Sequence, residues 1–422
     1  MILKKLVGKF CEKVYDRIQD NKFLENSKMR KQDFTRKRKM GFADTIIVVL
    51  NKTGKSLHSG IRIFMETMKV ESESYSNQAF SKGRMRVKFE AFRELFQMTV
   101  DEFYKEFKVK KYKGYRVSAV DGTKINLPYN EDSVKEFGIQ ESTNDQIQAL
   151  GSCLYDVLNE MIIDAVIASH DESEGNLAKQ HLDYLLSISH NKELILFDRG
   201  YPSADLISFI ESKKFYYLMR CNKTFISGMK EQITSDDCVI SYRFKKKKIT
   251  VKIRIITVVL STGNKETLIT NIFDKSFTVE DFAQLYHMRW EIETNYDDIK
   301  NKLEIENFSG TTPLAIKQDF FATMFLRNLA SMMIFENEEE INNLHNSSNN
   351  LYQYKANVNT VVSILKTDLI EMLIVDSDFK RRKLWRKITK EISHSVIPIR
   401  PNRSFERKKK HLCEKYPQNQ KS

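Results

Sequence analysis

The chain has 422 residues, 41% hydrophobic and 30% charged, which allows two or three domains with a real core and excludes broad disorder. A net charge of +13 favours a polyanionic partner, either nucleic acid or an anionic membrane surface. No apolar run approaches a membrane span, Thr45–Leu50 being far too short, which leaves nucleic acid as the better partner. The N-terminus, Met1-Ile-Leu-Lys-Lys, lacks the apolar stretch and cleavage site of a signal peptide. Cys11, Cys153, Cys221, Cys238 and Cys413 are scattered, without zinc or redox spacing, so they read as reduced thiols. The expectation is a cytoplasmic, nucleoid-associated protein. A lone His such as His181 reads as an ordinary surface or core residue.

Residues 1–110 read as helical and basic. Lys28–Lys39 is a dense cationic run, followed by apolar helices at Phe42–Leu50 and Ser59–Met68. A basic helix is expected from Gln78 to Phe92. Its Phe80, Met85, Val87, Phe89 and Phe92 can bury while Lys82, Arg84, Arg86 and Lys88 project. Two cationic clusters in one helical region suit DNA docking better than a merely solvated surface. Gly54-Lys-Ser resembles the end of a phosphate loop, but the loop's first Gly would have to stand at Val49, which excludes a nucleotide site.

From Tyr115 the pattern turns to strands. Arg116–Pro128 is an apolar strand carrying Asp121-Gly-Thr. Ile147–Val157 and Met161–Ser169 form a hairpin about Leu158-Asn-Glu160. A helix at Asn176–Ser187 precedes the buried strand Leu194–Phe197, which ends in Asp198-Arg199-Gly200-Tyr201. A helix at Ala204–Ser212 and a strand at Phe215–Arg220 come next. Residues 223–275 read as a β-rich insert with strands at Val239–Phe244, Ile249–Leu260 and Glu266–Phe273. Residues 311–395 read as helical around an Asn/Ser-rich loop at Asn342–Asn350, and a basic tail holds Arg403–Lys410. The chain thus divides into a helical DNA-binding region (1–110), a catalytic domain with its insert (111–310) and a helical C-terminal region (311–422).

After an N-cap at Thr278, one further helix is expected through Lys300. At about 100° per residue, Tyr286, Arg289, Glu293 and Lys300 share a stripe roughly 60° wide. Ion pairing such as Arg289 with Glu293 explains part of it. A polar stripe beside apolar Leu285, Met288, Ile292 and Ile299 also suits a charged ligand. Glu291 falls on the far side of the helix, and Asp297 falls near the stripe without a role. Asp121 and Asp198 each end an apolar strand, where sites collect in α/β sheets; Asp145, Asp156, Asp164 and Asp171 do not. With Glu293 they make three carboxylates without His or Cys, a donor set suited to Mg²⁺ or Mn²⁺. Two such ions about 3.5–4 Å apart activate a hydroxyl and stabilise a leaving oxygen in phosphodiester chemistry.

These residues resemble the DDE transposases of bacterial insertion sequences, of the IS-four type. Tyr286, Arg289, Glu293 and Lys300 match that group's Y-(2)-R-(3)-E-(6)-K signature in type and spacing. The resemblance covers residues 80–310 well. It implies a ribonuclease-H-like mixed sheet with an inserted β-rich subdomain, flanked by helical N- and C-terminal regions. It implies Asp121, Asp198 and Glu293 as catalytic metal ligands for two Mg²⁺ or Mn²⁺ ions. It further implies phosphate contacts from Tyr286, Arg289 and Lys300. Trp290 can stack near a base, and Arg199 joins the DNA-contacting set with Lys82, Arg84, Arg86 and Lys88. The implied activity is cut-and-paste transposition through hairpin ends by a homodimer on double-stranded DNA, at terminal inverted repeats and target. The alternatives are a nuclease of similar fold that does not join strands, and an inactive transposase-derived DNA-binding protein.

Overall fold

The computed structural model describes residues 6–36, 38–51, 56–69, 75–140, 146–188, 192–244, 248–259, 263, 265–346, 351–375 and 377–400. Helices come first: α1 (Leu6–Gln19), α2 (Asn21–Ser27), α3 (Phe42–Leu50), α4 (Leu57–Thr67), α5 (Asn77–Arg84) and α6 (Glu90–Glu106). Then follow β1 (Tyr115–Asn126), α7 (Glu131–Phe137), β2 (Ile139–Gln140), β3 (Gln146–Asp156), β4 (Met161–Ser169), α8 (Glu174–Ile188), β5 (Lys192–Phe197), α9 (Ala204–Ser212) and β6 (Tyr216–Arg220). Next are α10 (Lys223–Ser227), β7 (Asp237–Phe244), β8 (Ile249–Val259), β9 (Lys265–Thr270), α11 (Val279–Met288) and α12 (Glu291–Asp297). Last come α13 (Pro313–His345), β10 (Gln353–Ala356), α14 (Val358–Ile374), α15 (Asp378–His394) and β11 (Val396–Ile399).

These elements form two compact units that do not follow the consecutive three-part division read from sequence. One holds Met1–Phe107, Ile125–Gln148 and Asp298–Ser422; the other holds Lys108–Lys124 and Ala149–Asp297. The helical unit is organised on α13. Thr312 caps its start and Pro313 occupies its first turn, where a missing N–H costs nothing. From Ala315 to Met333 nearly every residue is buried, as expected of a helix surrounded by others. Along it lies α6, with Phe96 tilted against Phe321 and Phe103 edge-on to Phe335. The helix continues to His345, so the expected loop begins later than Asn342. Residues 347–350, 54–55 and the tail at 403–410 lie outside the described residues.

The basic stretch at 78–92 is not one helix. Helix α5 ends at Arg84, Val87 bridges to Lys28 in extended conformation, and α6 starts at Glu90. Phe80, Val87 and Phe92 bury as expected, whereas Met85 is exposed. The assignment of Arg84 to DNA is overturned: it is 1% exposed. Its guanidinium meets Asp319 Oδ1 at 2.9 Å, Ser309 Oγ at 2.6 Å, Gln318 Oε1 at 2.8 Å and the Ala315 carbonyl at 3.2 Å. Its fork of donors is consumed internally, with an ionic partner. Lys82 is exposed. Arg86 is half-buried 3.8 Å from Asp33, and the Lys88 ammonium donates to the Asn26 carbonyl.

The second unit carries the sheet that positions the site. Strand β1 pairs in parallel with β5, and β5 with β6. Strand β3 runs antiparallel to β1, since the Val157 N–H bonds the Val117 carbonyl and the Leu127 N–H the Ile147 carbonyl, and β4 pairs antiparallel with β3. The turn between β3 and β4 is held by Asp156, whose carboxylate accepts from the N–H groups of Leu158 and Asn159. The order β4-β3-β1-β5-β6 is the ribonuclease-H-like arrangement. The insert continues this sheet: β9 pairs with β6, β8 with β9 and β7 with β8.

Helix α11 starts where expected, with Thr278 and Asp281 capping one another. It does not run unbroken to Lys300. Bonds of i→i−3 type at Arg289 and Trp290 tighten the chain between α11 and α12. Past Asp297 a π-helical turn spans Asp298–Lys302. A wider turn changes the angle per residue, so the 100° reading no longer holds at Lys300. That residue belongs to the helical unit. Among the described residues no helix is long and apolar enough to cross a membrane.

Candidate active site

Parallel pairing sets two of the carboxylates. Tyr115 is paired with Lys192 and the register runs on to Ala119 with Leu196. Carried on by two residues past the last pair, that register sets Asp121 opposite Asp198, which directly follows the end of β5. The Asp121 carbonyl accepts from the hydroxyls of Tyr296 (2.6 Å) and Ser152 (3.1 Å). Behind Ser152, His181 Nε2 lies 3.0 Å from its Oγ, and His181 Nδ1 lies 2.8 Å from Asp164 Oδ2. His181 and Ser152 are fully buried and Asp164 nearly so. His181 is therefore a core residue in a buried polar chain that ends on the backbone of Asp121.

Helices α11 and α12 bring the rest. The Tyr286 hydroxyl donates to Asp198 Oδ1 at 3.1 Å, and Arg289 Nη2 donates to Glu293 Oε1 at 3.0 Å. Tyr286 and Arg289 are buried, while Trp290 is 40% exposed. The Arg289 guanidinium lies 4.8 Å from the Trp290 ring centre and 5.8 Å from that of Tyr286, a cation between two π faces. Its Nε is buried with no partner among the described residues. Arg199 and Asp297 are exposed.

Glu174, in the first turn of α8, was missed from sequence. A Cβ on Gly122 would stand 2.8 Å from its Oε1 and 3.1 Å from Leu150 Cδ1. The bare glycine in Asp121-Gly-Thr is thus a cradle for a fourth carboxylate. The available signal was the acidic run Asp171-Glu172-Ser-Glu174 leading into a helix that follows a sheet strand.

The carboxylates perturb one another. Burial pushes Asp121 from its usual 3.8 up to about 6; Glu174 and Glu293 add to the rise, while the Gly122 N–H and Arg289 oppose it. Burial also leads the rise at Glu174, with Asp198 contributing. Burial would raise Asp198 too, but the Arg199 N–H, Arg289, Tyr286 and Arg220 outweigh it, and its pKa is lowered. Among the described residues no three such side chains are arranged as a ready metal cage; Glu293 is turned to Arg289 and Asp198 to Tyr286. The donor set itself fits a hard cation. It is all oxygen, mutually repelling, and packed against a residue with no side chain.

A stability consequence follows at Asp121. Its folded pKa lies above its unfolded one, so its contribution is fully present below about pH 4 and is lost as pH rises through about 6. Asp121→Asn should therefore leave metal-free stability unchanged at pH 4. At pH 8 it should raise stability by up to about 3 kcal/mol. Denaturant titrations in chelator at both pH values measure this, and a pH-independent difference would count against it.

Residues 112–329, just over half of the chain, match the family model described as Transposase DDE domain. The chain belongs to the DDE transposase family. Transposase InsG of insertion sequence element IS4 from Escherichia coli is 21% identical over 357 residues, 80% of this chain and 77% of that protein. A Sinorhizobium fredii protein named as transposase y4zB is 33% identical over 166 residues. That match covers 36% of this chain and 46% of the relative, so the chain spans about half the length of that curated relative. Among solved structures, a piggyBac transposase synaptic complex with hairpin DNA is similar at a TM-score of 0.48 and 9% identity. It covers 92% of this chain and 84% of that one. The likeness to insertion-sequence transposases expected from the Tyr286–Lys300 signature is thus borne out. Within this DDE transposase, sequence reading found Asp121, Asp198, Glu293, Tyr286 and Arg289, which share one compact unit.

Proposed function

We propose that this DDE transposase excises and inserts DNA by cut-and-paste phosphoryl transfer through hairpin ends, acting at terminal inverted repeats as a homodimer. The observation that supports the reading is the parallel β1–β5 register, which when continued two residues sets Asp121 opposite Asp198, in the unit that also holds the Arg289–Glu293 pair. Asp121, Asp198 and Glu293 would hold Mg²⁺ or Mn²⁺, with two ions expected. When bound, the cations supply Lewis-acid activation of water or a 3′-OH and neutralise the leaving oxygen.

The chain's own groups do the positioning. Tyr296 and Ser152 pin the backbone of Asp121, and Tyr286 orients Asp198. Arg289 holds Glu293 and keeps a donor in reserve for phosphate, with Trp290 stacked beside it. Lys300 and Arg199 are further phosphate contacts, and Lys82, Arg86 and Lys88 dock duplex DNA from the helical unit.

Purified protein, a pre-cut duplex carrying the inverted repeat from the gene's own flanks, a target plasmid and Mg²⁺ or Mn²⁺ provide the test. Joining of the 3′ end to the plasmid is expected. Cleavage without joining would leave a nuclease instead, and binding without cleavage an inactive descendant.

A further inference from the structure

Tyr201 stands one turn after Asp198, its N–H bonded to the Asp198 carbonyl at 3.1 Å and its ring 5.3 Å from that of Phe197. It is 5% exposed. Its hydroxyl is buried and has no hydrogen-bond partner among the described residues. Phenylalanine would fill the same space without burying an unmatched polar atom, so the hydroxyl is a cost to the free protein. The hydroxyl is thus a buried donor beside the Asp198 segment that, among the described residues, is spent on no carboxylate.

We propose that the Tyr201 hydroxyl donates a hydrogen bond to an anionic oxygen of the phosphodiester bound at this site. The assignment rests on the transposase reading above. Like Arg289, Tyr201 interacts with Asp198, so its hydroxyl adds a second donor to that side of the site. Tyr201→Phe should keep or raise the melting temperature and leave Mn²⁺ affinity unchanged. It should lower kcat/KM for nicking by about tenfold to a hundredfold, as one lost hydrogen bond to a charged oxygen does. Wild-type nicking rates in Tyr201→Phe, beside an inactive Glu293→Gln control, overturn it. So does a fall in melting temperature, which reveals an internal partner, or an equal fall in Mn²⁺ affinity, which assigns the hydroxyl to the cation. If wild-type protein does not nick at all, the transposase reading fails instead.

A separate observation concerns α15. It carries seven Lys or Arg residues against Asp378 and Glu391. Leu384, Trp385, Ile388 and Ile392 bury, and Trp385 lies against Gly8, where a Cβ would meet its indole at 2.6 Å. That fixes the outer face: Phe379, Lys383, Arg386, Lys387 and Lys390 fall within an arc of about 100° and are exposed. Among the described residues, Lys387 is the one of these cations with a carboxylate in ion-pair range, Asp368 at 3.6 Å.

We infer that this face is a second DNA-backbone contact, apart from the N-terminal clusters. Lys383 to Lys390 spans about 10 Å along the axis, enough to meet adjacent phosphates. A Lys383→Ala/Arg386→Ala/Lys390→Ala protein should fold normally, since the three side chains are exposed. Its log–log salt slope for a labelled duplex should be shallower by about 2–3, near 0.9 per lost phosphate contact. An unchanged slope in a folded triple variant overturns the assignment.

Discussion

Glu293→Gln should bind transposon-end DNA within a few-fold of wild type and nick it at least about a thousandfold more slowly, roughly 4 kcal/mol of lost transition-state stabilisation. Gln keeps the shape of Glu and an oxygen that can accept from Arg289 Nη2, now 3.0 Å from Glu293 Oε1. What it loses is the negative charge needed to hold a divalent cation. Asp121→Asn and Asp198→Asn should fail equally. The double variants should be little worse than the single ones, because groups acting as one unit are not additive. Gel-shift and plasmid-nicking assays on the same preparation separate binding from chemistry. Undiminished nicking in Glu293→Gln would remove it from the catalytic set. The Arg289 pairing would then be a structural ion pair like that of many helices.

Arg84→Ala should destabilise the protein by about 3–5 kcal/mol, the usual cost of stranding one member of a buried ion pair. Asp319 is fully buried and would keep only its bonds from the Ser309 backbone and hydroxyl. Gln318 would lose the Arg84 guanidinium but keep the Arg84 and Val87 carbonyls. Replacing both ionic partners by apolar residues, Arg84→Met with Asp319→Leu, should recover much of the loss, because no charge is then left unpaired. Lys82→Ala, at an exposed position, should stay within about 0.5 kcal/mol of wild type. Denaturant unfolding of the four proteins decides this. Equal stability of Arg84→Ala and Lys82→Ala would show that the internal network carries little. A drop in DNA affinity on removing Arg84 would therefore report on folding rather than contact.

Much of the site was legible because its parts obey local rules. Asp121 and Asp198 each follow an apolar β run, and such runs form strands wherever they lie, although β1 continues past Asp121 to Asn126 instead of ending there. Tyr286, Arg289 and Glu293 are spaced by three and four, so near-helical backbone keeps them close even across the α11–α12 junction. Long-range partners were not legible. Nothing local distinguishes Arg84 from Lys82, two residues away in the same basic stretch. Only α13, more than two hundred residues later, supplies Asp319 and Gln318. Glu174 was passed over for the same reason, since its proximity to Asp121 depends on where α8 packs.

The amino-acid sequence by itself determined the alternation of strands and helices, the place of the insert and the signature stretch, because hydrophobic period and residue spacing act over a few turns. Tertiary structure alone decided which charges are spent inside, as with Arg84 and Asp164, and which remain for a ligand. It decided that the insert continues the main sheet, and that Lys300 lies within a π turn. It also buried the Tyr201 hydroxyl beside Asp198 with no partner among the described residues. Burial and desolvation set the role of each of these polar groups, and both depend on residues far away in the chain.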